Sequence, residues 1–267
     1  MKRILTALVL IPPFLAILLL APAWSFLLLA EAVALAAVHE FFGLTQRGGY
    51  RPFRIMGYAA TALLTLSFHP DMPAGNWAVL VVLVVIGLAA VARGTPTGKT
   101  LGEVSSTLLG VFYAGALSGA VVGLRYTPPD GVGRSWVFFL LLVILLGDTG
   151  AYYTGRALGR RPLAKKLSPK KTIEGLVGGL ALSILTAVLL GPLLIPHLDR
   201  IHATGLGLLL GLLGAAGDLF ESLLKRAVGV KDTSSLFPGH GGILDRLDAV
   251  FFAAPALWLY VRFVYLQ

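Results

Sequence analysis

The chain has 267 residues, of which 57% are hydrophobic and 13% charged, with a formal charge of +9, no cysteine and a mean hydropathy of +0.84. Such hydropathy excludes a soluble domain with a polar surface and points to a polytopic membrane protein. The missing cysteine excludes disulfides, thiolate metal sites and a cysteine nucleophile, and the basic excess reflects loop charges of a membrane protein rather than a nucleic-acid partner.

Nine apolar segments of spanning length follow one another, at about 4–21, 24–44, 53–69, 76–92, 103–124, 135–157, 174–196, 203–224 and 249–266. The first opens with Lys2-Arg3 and closes on Ala21-Pro22-Ala23, imitating a secretory signal. Its apolar run, about 18 residues long, is that of a span, so a retained first helix is expected. The third segment is the shortest, and a polar stretch separates the eighth from the ninth. No soluble domain, long linker or internal repeat interrupts the series. The expected fold is therefore all-α, a single integral membrane domain over 1–267, in which 1–134 supply N-terminal helices and 135–267 carry the site.

Orientation follows from the basic residues. With the N-terminus inside, alternate loops place 18 of the 22 Lys and Arg on the inner side and leave only Arg125, Arg134, Arg200 and Arg262 outside. The N-terminus then faces the cytoplasm, and nine spans put the C-terminus opposite. The two longest inner loops are also the richest in chemistry: 155–173 (GRALGRRPLAKKLSPKKTI) and the segment 217–248.

Acids cluster at the inner ends of the later spans. Asp218, Glu221, Ser222 and Lys225 recur at i, i+3, i+4 and i+7, which sets them on one face of a helix. A Gly-rich turn, Pro238-Gly239-His240-Gly241-Gly242, leads to Asp245 and Asp248, again three apart, while Asp148 ends the sixth span. A carboxylate at membrane depth costs several kcal/mol unless paired or hydrated, so a converging set marks function. Oxygen ligands without cysteine suit Mg²⁺ rather than zinc, and Mg²⁺ completes its shell with water and substrate phosphates. Lys225, Arg226, Lys231, Lys165, Lys166, Lys170 and Lys171 can neutralise further phosphate oxygens, and the glycines allow backbone amides close to an anion. His240, set between glycines, is read as a phosphate or ligand contact, not a general base. Arg47, Arg51 and Arg54 read as headgroup anchors. Glu31 lies near the middle of the second span without an assignable partner, and Glu40 follows His39 at its inner end. Gly110, Gly115 and Gly119, and likewise Gly178, Gly179, Gly205, Gly207 and Gly211, are expected to mark close helix packing.

The run Ser222-Leu223-Leu224-Lys225-Arg226, four residues, Lys231-Asp232, and then Pro238-Gly239-His240-Gly241-Gly242-Ile243-Leu244-Asp245-Arg246-Leu247-Asp248 resembles the signature of the phosphatidate cytidylyltransferase, or CDP-diglyceride synthase, family. Asp148-Thr149-Gly150-Ala151-Tyr152 and Ser168-Pro169-Lys170-Lys171-Thr172-Ile173-Glu174-Gly175 resemble further segments of that family in the same order, so the likeness covers about 140–250. The resemblance implies a Mg²⁺-dependent reaction of CTP with phosphatidic acid, giving CDP-diacylglycerol and pyrophosphate, in a homodimer of the inner membrane. On that footing Asp218 and Asp245 are expected to bind the principal cation, with Glu221, Asp248 and Asp148 around it, and a second cation is allowed for. Lys225, Arg226, Lys231 and His240 would hold phosphates, and Lys166, Lys170 and Lys171 the CTP side. Ser168, Thr172, Ser222, Asp232, Gly241, Gly242 and Arg246 complete the expected substrate contacts. A CDP-alcohol phosphotransferase is disfavoured because its Asp-Gly…Ala-Arg motif has no counterpart. A lipid transporter would show repeat symmetry and mid-membrane charges, of which Glu31 is the single instance.

Overall fold

The computed structural model describes residues 12–72, 75–94, 98–129, 131–234 and 241–267. They fall into two compact units. The first contains the described residues through Tyr126 together with Ala227–Arg246; the second contains Thr127–Arg226 and Leu247–Gln267.

The first unit is helical. A helix over 12–19 (α1) is followed by α2 (Ala23–Arg47), α3 (Arg54–Leu66), α4 (Gly75–Arg93) and α5 (Thr100–Val111), which runs through a π-helical turn at Phe112–Ala116 into α6 (Leu117–Arg125). Buried positions of α2 recur at helical spacing, through Phe26, Ala30, Ala34, Ala37, Val38, Phe41 and Phe42, the stripe expected of a helix packed on one side. Small residues set how closely its neighbours approach. A Cβ at Gly110 would meet Phe41 and Phe42, one at Gly115 the backbone of Thr61, and one at Gly119 the ring of Phe68. Arg93, at the end of α4, pairs with the buried Glu103 at 2.8 Å and lies over the Phe53 ring at 3.8 Å.

The second unit holds α7 (Val132–Leu158), strands β1 (Pro162–Ala164) and β2 (Ser168–Thr172), α8 (Ile173–Leu194), most of α9 (Arg200–Ala227) and α10 (Leu244–Tyr260) from Leu247 on, ending in a π-helical turn at Val261–Tyr265. Glycines bring α7, α8 and α9 together: Gly150 meets Gly178 O and Leu182, Gly179 meets Ala151, and Gly207 and Gly211 meet Ile184 and Ser183. Gly205 departs from the expected packing role, since nothing lies within 4 Å of its Cβ position. Trp136 is fully buried against the rings of Phe139, Tyr260 and Tyr265. Asp199 caps α9 by accepting from His202 N at 2.8 Å, and that N–H holds its carboxyl below the ordinary carboxylate range.

One result differs from the sequence expectation. The stretch 155–173 is not an irregular loop: α7 runs to Leu158, and β1 and β2 pair antiparallel, Pro162 opposite Thr172 and Ala164 opposite Ser168. Among the described residues six helices are long and apolar enough to cross a membrane: Ala23–Arg47, Thr100–Arg125, Val132–Leu158, Ile173–Leu194, Arg200–Ala227 and Leu244–Tyr265. The expected first span, about 4–21, lies in part outside the described residues. Arg54–Leu66 and Trp77–Arg93 are apolar but shorter.

Candidate active site

Acids and bases meet in the second unit. Asp218 and Glu221 lie one turn apart on α9, and Asp248 lies on the second turn of α10. One carboxylate oxygen from each falls within 4.8 Å of the other two. Glu221 and Asp248 are buried, and Asp218 is half-buried. The approach depends on Gly217, where a Cβ would run into the backbone carbonyl of Asp248 and meet Phe252 Cβ at 3.1 Å. With no side chain at 217, α10 can lie against α9 at the level of the acids.

Two lysines enter the same cluster. Lys171 on β2 pairs with Asp218, and Lys225 pairs with Glu221 one turn along α9. Side chains alternate along a strand, so the exposed Lys170 and the half-buried Lys171 leave β2 on opposite faces, and it is Lys171 that reaches the acids. Beside α7, Asp148 lines a cleft of about 300 Å³, open mouth included, shared with Gly147, Ala151, Ser183 and Gly214.

The remaining expected residues are distributed as follows. Thr172 caps α8, its hydroxyl accepting from Gly175 N at 3.1 Å, while Glu174 accepts from the N–H groups of Arg160 and Arg161 and so ties the hairpin's start to its end. Ser168 and Ser222 are half-buried; Lys166, Arg226, Lys231, Asp232 and Arg246 are exposed. His240, with Pro238 and Gly239, lies outside the described residues.

Asp245, Gly241 and Gly242 belong to the first unit. Asp245 Oδ2 accepts from Thr233 N at 2.9 Å, Thr233 Oγ1 at 2.7 Å and Gly242 N at 2.8 Å. The Gly242 amide, expected to face an anion, is thus directed at a carboxylate in the first turn of α10. Gly241 has φ +74°, and a Cβ there would run into the Asp245 carboxylate; one at Gly242 would run into Glu40 and Thr233 Oγ1. These glycines let two carboxylates approach the turn. Sequence reasoning left Glu40, Thr233 and Ser234 without a role. The one signal available was an acid in an apolar helix, and its partners lie some two hundred residues away.

The donor set in the second unit fits a divalent cation: three carboxylates from two helices, no nitrogen or sulfur ligand, and fixed positive charge beside them. Phosphate groups suit the same place, because Lys171 and Lys225 supply ammonium donors at its edge.

Comparison with known proteins bears on this arrangement. The chain matches the family model described as Cytidylyltransferase family over residues 1–264. It is 33% identical to a phosphatidate cytidylyltransferase of Staphylococcus epidermidis, over 96% of each chain. A phosphatidate cytidylyltransferase of Bacillus subtilis is 36% identical, over 68% of this chain and 65% of that one. An Escherichia coli protein named Uncharacterized protein YnbB is 38% identical, over 67% of this chain and 60% of its own. The match therefore spans somewhat under two thirds of the length of the last two relatives.

Proposed function

The chain belongs to the cytidylyltransferase family, and from that premise we propose that it transfers CMP from CTP to phosphatidic acid, releasing pyrophosphate and forming CDP-diacylglycerol. The observation that carries the proposal is the meeting of Asp218, Glu221 and Asp248 with Lys171 and Lys225 at the ends of apolar helices. Such a constellation suits a lipid phosphate and a nucleotide triphosphate brought together at a membrane boundary.

The chemistry requires little acid or base. A phosphate monoester has a second pKa of about 6, so near neutral pH most of it is already the dianion that attacks the α-phosphorus of CTP. The P–O bond to the β-phosphate breaks, and pyrophosphate leaves with that electron pair. What must be overcome is repulsion between two polyanions and the charge gathering on the leaving group. Asp218, Glu221 and Asp248 would hold Mg²⁺, which when bound offsets that charge and orients phosphate oxygens. Lys171 and Lys225 stand beside those acids to take phosphate oxygens directly, and Lys166, Lys170 and Arg226 add cationic charge; Lys231 and His240 are the further phosphate contacts of the proposal. Asp148, which lines its cleft, and Asp245, fixed by Thr233 and Gly242, are the further acids of the proposal, and a second cation is part of it. The proposal includes nine spans, an inner-membrane location with the site facing the cytoplasm, and a homodimer.

The test is direct. Purified protein given CTP, phosphatidic acid and Mg²⁺ should release pyrophosphate and form CDP-diacylglycerol, and omission of Mg²⁺ should stop both. Asp218→Asn and Asp248→Asn should each lower turnover by about 100-fold or more, the scale of removing one principal electrostatic contributor, while the protein still purifies as a folded species. Near-normal synthesis in either variant would sink the assignment.

A further inference from the structure

We propose that Glu40 is a positioning residue: its carboxylate ties Thr233 and Ser234 to the first turn of α10, and through them sets Asp245 for the reaction. Its catalytic part rests on the reading above.

Glu40 lies near the inner end of α2 and is 6% exposed. Burying a carboxylate is costly unless its oxygens are hydrogen-bonded, and here the donors among the described residues come from one distant segment. Oε1 accepts from Ser234 Oγ at 2.7 Å and Ile243 N at 3.0 Å; Oε2 accepts from Leu244 N at 3.0 Å and lies 3.0 Å from Thr233 Oγ1. Three donors and the shared Thr233 hydroxyl face the acceptor sites of the carboxylate, so most of its hydrogen-bonding capacity is taken up by the protein itself.

The same contacts reach Asp245. Thr233 Oγ1 stands between Glu40 Oε2 and Asp245 Oδ2, and its single proton serves one of them at a time; backbone N–H groups serve each oxygen besides. Ile243 and Leu244 are at the start of α10, where amides lack an intrahelical acceptor. Helices normally meet this need with a local Ser, Thr, Asp or Asn. This one uses a glutamate 203 and 204 residues earlier, with negative charge at the positive end of the helix. Gly242 completes the fit, because any side chain there would displace Glu40 and Thr233 together.

The experiment uses full-length wild type, Glu40→Gln and Glu40→Ala in detergent, with CTP and phosphatidic acid as substrates and hydrogen–deuterium exchange at 241–246 as a second readout. Glu40→Ala should lower kcat by about 30-fold or more, the equivalent of losing one or two charge-assisted hydrogen bonds. KM for CTP should stay within about twofold, since Glu40 is committed to the loop and not to substrate. Exchange at Ile243 and Leu244 should accelerate at least tenfold while the rest of the protein keeps its protection. Glu40→Gln keeps one acceptor oxygen and should fall between; it decides the matter if Glu40→Ala does not yield folded protein. Unchanged exchange at 241–246 in both variants overturns the proposal. So does loss of kcat matched by loss of protection throughout the chain, which would make Glu40 a residue of the fold alone. A wild type that never releases pyrophosphate removes the catalytic reading, and with it the catalytic part of this one, whereas the exchange result still decides the anchoring.

Discussion

At the scale of single residues, the site depends as much on side chains that are absent as on those that carry charge. Gly217 and Gly205 occupy the same helix, yet a Cβ at 217 would run into the carbonyl of Asp248, whereas one at 205 meets nothing within 4 Å. Backbone cannot rotate away as a side-chain tip can, so Gly217→Ala must push α10 from α9 and separate Asp218 from Asp248. The expected cost is about 1–3 kcal/mol of stability, typical of overpacking, together with at least a tenfold rise in the Mg²⁺ concentration that half-saturates turnover. Gly205→Ala should leave turnover unchanged and stability equal or slightly higher, because alanine is the better helix former by up to about 1 kcal/mol. Thermal unfolding and a Mg²⁺ titration of the two variants make the comparison. If both behave alike, the close approach at 217 has no part in the site.

At the scale of elements, much of the architecture is legible in sequence because apolar helices announce themselves by length and spacing. The i, i+3, i+4, i+7 set on α9 is an example: Asp218, Glu221 and Lys225 meet as that spacing requires, Glu221 with Lys225 through an ion pair one turn apart. The hairpin at 162–172 is not legible in the same way. Its strands have three and five residues, contain Pro162 and Pro169, and show no alternation of apolar and polar residues. Their pairing is held by Glu174 and by the backbone bond from Ile173 N to Arg161 O at 2.9 Å. The Glu40 network is illegible for another reason: its partners lie 193 to 204 residues away, and one sequence carries no record of such a pair. Thr172, read from sequence as a substrate contact, sits where capping explains it. Thr172→Ala should destabilise by roughly 1 kcal/mol, or about 2–4 °C in a chain of this size, with Thr172→Ser restoring most of it. KM for CTP should stay unchanged in both. A several-fold rise in KM for the alanine variant, without a change in unfolding temperature, would return Thr172 to the substrate.

At the scale of the whole molecule, the open question is which segments cross the bilayer. α3 has 13 residues, about 20 Å at 1.5 Å per residue, against a hydrocarbon core of about 30 Å. It is followed in sequence by α4, and the connection from Ser67 to Ala74 contains no Lys or Arg. A pair of adjacent segments that crosses twice and a pair that turns back within the membrane leave every later loop on the same side, so the expected inward bias of 18 basic residues out of 22 does not depend on α3. The absence of cysteine makes the matter accessible, since an introduced cysteine is the only thiol in the purified chain that a maleimide can have labelled. In intact cells an impermeant maleimide should label Arg134→Cys, in the first turn of α7, and should label Arg160→Cys, before the hairpin, only after the membrane is opened. The reverse pattern would place the acids and lysines on the outer face, away from cytoplasmic CTP, and would end the proposed reaction together with the topology. Met72→Cys, between α3 and α4, should be labelled from outside if both helices cross. Protection there, with Arg134→Cys still labelled, would reduce the spans to seven and leave the site facing the cytoplasm.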